Sequence, residues 1–299
     1  CRILMGCGFF SACYFAIILQ FGQASGQAVT NQARLPKMTI GLLIGSVVAA
    51  VLTVVWLKPT DRNRLKLLIA FSGSYLLSIT ALHLLPEVFV KIDPSRGAYF
   101  GAFVLVGFFL QVMLEYLSGG IEHGHAHHDS KKDALPIGLL VGLCLHAFLE
   151  GMPLGSGGEG HAGHDHSHDH GHAHGHGHSH GAGASQSALL WGIVLHKYPV
   201  AIVFFSMLLN NGMGKAKALG LLALFGAMAP LGTLLGGAEM IGQFHRESLA
   251  IVIGIFLHVS TTILFESSEG HKFNAYKMLA IAAGLALAGI GMMLHLHHH

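Results

Sequence analysis

Eight stretches of the chain are apolar on most faces and approach the roughly 20 residues that a helix needs to cross a bilayer core. They fall at 38–57, 66–90, 98–117, 135–156, 187–209, 217–238, 248–266 and 275–294. A segment embedded in lipid must satisfy its backbone internally, so each is expected to be a helix. The expected fold class is an all-α membrane protein with eight transmembrane helices, occupying residues 35–299. Small residues four apart mark where such helices are expected to approach closely: Gly41/Gly45, Gly97/Gly101, Gly138/Gly142 and Gly232/Gly236. A further apolar stretch, 3–21, precedes the polar run Gln23-Ala24-Ser25-Gly26-Gln27-Ala28. Residues 1–34 are therefore expected to be a signal peptide, or an extra apolar segment, with a short outside tail.

Composition supports the membrane reading. The chain has 299 residues, 52% hydrophobic and 11% charged, whereas soluble domains run near about 25% charged. The mean hydropathy is positive. A net charge of +2 gives no reason to expect nucleic acid as a partner. Cys1, Cys7, Cys13 and Cys144 imply neither a disulfide framework nor a zinc knuckle.

Lysine and arginine set the expected orientation. Ten of them fall in the connections after spans 1, 3, 5 and 7, against six after spans 2, 4 and 6 and in the N-terminal 37 residues. This places the loop after span 1 in the cytoplasm and both ends of the eight-helix core outside, in a plasma (inner or cytoplasmic) membrane.

Two loops are rich in histidine. Residues 157–185 are dominated by Gly, His, Ala, Ser and Asp, with ten histidines between His161 and His180, and have no apolar content to fold. A smaller tract, His123 to His128, lies in the loop 118–134. The first is expected to capture or sense metal at the outer mouth, and the second to trap it at the inner exit. A tolerated low-complexity linker is the alternative.

Two spans carry charge at mid-depth. The fourth reads His146-Ala147-Phe148-Leu149-Glu150-Gly151 and the fifth reads His196-Lys197-Tyr198-Pro199. Ionisable groups inside an apolar run are expensive and mark functional sites. His146 lies 11 residues past Leu135, roughly 16 Å at helical rise. His196 lies 9 residues past Ser187 and enters from the other side, roughly 14 Å deep. His146 and Glu150 are four apart and share a face. Two imidazoles and a carboxylate suit tetrahedral Zn²⁺ with one open position. Lys197 is too central to snorkel, so it is expected to pair with Glu150 or to stand where a second cation could. His258, at a similar depth in span 7, is a candidate for an additional site, with a simple hydrogen bond to a neighbouring carbonyl as the alternative. His83 and Glu87, four apart at the outer end of span 2, could form an entrance relay, and Glu266 an exit group. Pro153 and Pro199 are expected to loosen the carbonyls of Leu149 and Leu195 beside the site, or merely to kink the helices.

The order of these pieces resembles the ZIP family of zinc/iron permeases. The His146/Glu150/Gly151 and His196/Lys197 cassettes are similar to its fourth and fifth helices. Leu82-His83-Leu84-Leu85-Pro86-Glu87 looks like the end of its second, Ala229-Pro230-Leu231-Gly232 like its sixth, and Gly254-Ile255-Phe256-Leu257-His258-Val259-Ser260 like the start of its seventh. The resemblance implies an inverted-repeat transporter that brings divalent cations into the cytoplasm by alternating access. Helices 1, 4, 5 and 6 would slide against 2, 3, 7 and 8. It implies a main metal site that includes His146, Glu150 and His196. Where some members build a second site, this chain has Ala147, Lys197, Val200 and Ala229, which implies a single-metal site. Tyr75 aligns where some members offer a sulfur ligand.

The expected cargo is Zn²⁺, with Fe²⁺, Mn²⁺, Co²⁺ and Cd²⁺ open. The expected partners are divalent ions and the lipid bilayer, and a homodimer is left open. No HExxH motif is present and an enzyme is not expected. The alternative functions are a cation-diffusion-type exporter, which would need a midplane His/Asp cassette on its second and fifth helices, or a membrane metal sensor.

Overall fold

The computed structural model describes residues 35–57, 62–90, 92–118, 137–156, 181–266 and 275–297. Residues 40–299 form one compact unit, and residues 1–39 another, of which only the start of α1 is described. The segment 1–34 and both histidine tracts lie outside the described residues. Every regular element among the described residues is helical: α1 (Leu35–Leu57), α2 (Arg62–Ile79), a π-helical turn (Thr80–Leu84), α3 (Leu85–Phe89), a 3₁₀ turn (Pro94–Arg96), α4 (Gly97–Ser118), α5 (Ile137–Ser156), α6 (Gly181–Asn210), α7 (Lys215–Gly236), α8 (Glu239–Gly242), α9 (His245–Glu266) and α10 (Ala275–His297).

Seven spans are long and apolar enough to cross a membrane, the build of an integral membrane protein: Lys37–Trp56, Asn63–Phe89, Pro94–Leu117, Ile137–Gly155, Gln186–Asn210, Lys215–Gly236 and His245–Phe265. The eighth expected span forms as α10, whose side chains are described without a break over Ala275–Gly291.

Three local features stand out against the sequence pattern. Span 2 is interrupted by its π-helical turn, where the N–H of Leu85 bonds to the carbonyl of Thr80. Pro86 has no N–H to return to the carbonyl four residues back, which favours the wider turn. Helix α6 starts at Gly181, inside the expected loop 157–185. Finally, α5 and α6 run unbroken through Pro153 and Pro199.

Helices α5 and α7 pack most extensively, and glycine is the reason. A Cβ added at Gly151 would lie 2.1 Å from the Ala229 carbonyl oxygen, and one at Gly155 would lie 1.9 Å from that of Thr233. In return, a Cβ added at Gly232 would lie 2.1 Å from the Phe148 oxygen and one at Gly236 1.9 Å from the Met152 oxygen. The Thr233 hydroxyl donates across this seam to the Gly151 carbonyl at 3.1 Å. Helices α4 and α9 meet in the same way through Gly107 and Gly254, and α2 meets α10 through Gly284.

Of the four expected glycine pairs, Gly232/Gly236 lies in the α5–α7 seam, and Gly138 approaches the Leu117 carbonyl oxygen. Gly41, Gly45, Gly97 and Gly101 do not mediate contacts: among the described residues nothing lies within 4 Å of a Cβ added at any of them. Spacing alone does not say which face of a helix meets a neighbour. The Gly41/Gly45 pair shares its stretch of α1 with the exposed side chains of Ile44 and Val48.

Candidate metal centre

His146 is the central residue of the span Ile137–Gly155, and His196 lies close to the centre of Gln186–Asn210. The α-helical repeat sets His146 and Glu150 one turn apart on α5, and His146 Nε2 reaches Glu150 Oε1 at 2.6 Å. The third group arrives from α6, with the rings of His146 and His196 6.2 Å apart between centroids and inclined at 77°. One ligand atom from each of His146, Glu150 and His196 lies within 4.8 Å of the others, a grouping able to hold a metal ion. All three residues, and Lys197, are only 2% exposed. Glu150 Oε2 has no hydrogen-bond partner among the described residues. A buried carboxylate oxygen left in that condition is costly, and a cation would satisfy it. The donor set of two imidazoles and one carboxylate fits Zn²⁺ with a position open for exchange.

No protein-family model matches this chain, and no curated protein matches it.

Lys197 departs from its expected pairing. Its ammonium makes no hydrogen bond among the described residues and instead stands 4.3 Å above the ring of Phe225 on α7. A desolvated cation over an aromatic face gains about 2 kcal/mol, which offsets part of the cost of burial.

His258 does not join the group of three. Its Nε2 hydrogen-bonds to Glu115 Oε2 on α4, and its ring meets Phe108 edge-on at 5.0 Å. Its partner is thus a carboxylate on another helix and not the carbonyl of the simpler expectation. Glu87 lies 3.8 Å from His245 Nε2 at the start of α9, so its near neighbour includes a histidine the sequence pattern did not single out. His83 sits half-buried in the π-helical turn, and Tyr75 is buried in α2. Glu266 is the last residue of α9, and its side chain lies outside the described residues.

Four further residues near these groups escape sequence reasoning. Phe225 and His245 carry no local signal. Gln111 and Glu115 do carry one: they are polar, four apart and set in the apolar span 98–117. Gln111 is fully buried, and its Oε1 accepts a hydrogen bond from His146 Nδ1 at 2.9 Å.

Proposed function

We propose that this chain is a divalent metal-ion transporter, with Zn²⁺ as its principal cargo, which brings the ion into the cytoplasm by alternating access. One observation carries this reading: donors from α5 and α6 converge within 4.8 Å in the dry middle of membrane-length helices. A site so placed strips the ion of water and must later open to release it.

The resemblance to ZIP permeases supports the same reading. Its key residues, scattered between positions 146 and 196, are the ones that come together. The packing sorts the helices into the two implied groups only in part, since span 5 packs more on span 2 than on spans 4 or 6. Backbone-to-backbone approaches join spans 4 with 6, 3 with 7, and 2 with 8 through glycine. By contrast, Gly192 of span 5 meets span 2 through the side chains of Ile79 and Leu76. Gly138 is an exception, since it approaches the Leu117 backbone between spans 4 and 3.

The site is proposed to be mononuclear. Ala147, Val200 and Ala229 are buried and offer no ligand, and Lys197 already places a cation beside His196. Titration of the purified protein with Zn²⁺, read by anomalous scattering at the zinc edge, is expected to give one ion between α5 and α6. Two ions of equal occupancy there would contradict the single-metal reading.

Transport itself is tested with the full chain in proteoliposomes carrying an internal zinc indicator. Saturable Zn²⁺ flux above that of empty vesicles is expected. Binding without flux would instead mark a sensor, and flux limited to the export direction an exporter.

A further inference from the structure

We infer that Gln111 is a positioning residue for the metal donor His146, an inference that rests on the transport site proposed above. The amide belongs to α4, which contributes none of the three candidate ligands. It is nonetheless fully buried in a membrane-length helix, where an amide is costly unless its hydrogen bonds are made.

The bond it makes is specific. An imidazole in its neutral form has one N–H and one lone pair. Gln111 Oε1 accepts from His146 Nδ1, so once the proton that Nε2 shares with Glu150 Oε1 leaves, the lone pair is at Nε2 and available to a metal. Without this acceptor the ring could turn over and exchange the two nitrogens. Metal-binding histidines commonly have the second nitrogen held in this way, which sets both tautomer and orientation.

Gln111 is itself on a firm mount. One turn before it, Gly107 presses α4 against the backbone of α9 at Ile251. One turn after it, Glu115 is tied to His258 of α9. Three residues spaced four apart thus share one face of α4, with the outer two anchored to α9 and the middle one directed at His146.

The test is Zn²⁺ uptake by proteoliposomes containing wild type, Gln111→Ala, Gln111→Met, Gln111→Glu and His146→Ala, with thermal stability measured alongside. Gln111→Ala and the volume-conserving Gln111→Met are expected to raise KM by about 10–100-fold with little change in maximal flux. Gln111→Glu keeps an acceptor at the same reach and is expected to retain a wild-type-like KM. If both Gln111→Ala and Gln111→Met lower stability but leave KM unchanged, the residue is merely structural and the inference fails. Equal loss in Gln111→Glu and Gln111→Met would also overturn it. Full flux in His146→Ala would overturn the transport site itself, a separate outcome.

Discussion

Zn²⁺ uptake is expected to fall by more than about 100-fold when Glu150 is replaced by alanine, beyond the roughly 10–100-fold typical of losing an outer partner of a metal ligand. The substitution removes the only carboxylate in the group of three donors. It also withdraws a negative charge from the buried interior that holds Lys197, the chain neighbour of His196. An uncompensated buried charge costs about 3–5 kcal/mol, so a loss of flux in Glu150→Ala alone could reflect poor folding. Glu150→Gln separates the two effects. It preserves shape and hydrogen-bonding capacity toward His146 but withdraws the negative charge that a divalent ion needs. A folded Glu150→Gln protein with abolished uptake supports the site. His146→Ala is expected to behave in the same way. Full flux in both His146→Ala and Glu150→Ala would remove these residues from the pathway.

The second large effect concerns stability. Leucine at Gly155 or Gly236 is expected to prevent recovery of a monodisperse protein, and even Gly155→Ala should lower Tm clearly. At both positions the first side-chain carbon would stand 1.9 Å from a carbonyl oxygen of the facing helix. The obstruction is backbone and not a flexible side-chain tip, so α5 and α7 would have to move apart. Overpacking of this kind costs about 1–3 kcal/mol and sometimes more. Separation would also break the bond from Thr233 to the Gly151 carbonyl. Gly41→Ala and Gly101→Ala are the controls, since neither added methyl meets a described atom within 4 Å. Thermal shift of the detergent-solubilised protein distinguishes the two sets. A Gly155→Ala protein as stable as wild type would show that the seam tolerates expansion.

The candidate site was legible in outline because its signals are local. A histidine and a glutamate four apart must share a helix face, and charge in the middle of an apolar run needs a reason to be there. Equal depths from opposite ends then brought His196 toward the same level. Partner choice was not legible, because it is decided between helices far apart in sequence. Lys197 rests on Phe225, His258 binds Glu115, and Glu87 approaches His245. Gln111 and Glu115 could have been found by the same reasoning that found His146 and Glu150, since they too are polar residues one turn apart in a span. The glycine spacing was informative about close approach only where the face was turned inward. The break in span 2 had a visible cause in Pro86, whereas Pro153 and Pro199 sit in helices that continue through them.

The seam between α5 and α7 has a mechanical consequence. With no side chain between the facing backbones at the four glycines, the two helices have no lubricating layer and no room to shear. They behave as one plate instead of two rods. His146 and Glu150 are fastened to one side of that plate, and the phenyl ring beneath Lys197 belongs to the other. A displacement of α5 that carries His146 and Glu150 must therefore carry Phe225 with them, whereas His196 and Lys197 ride on α6.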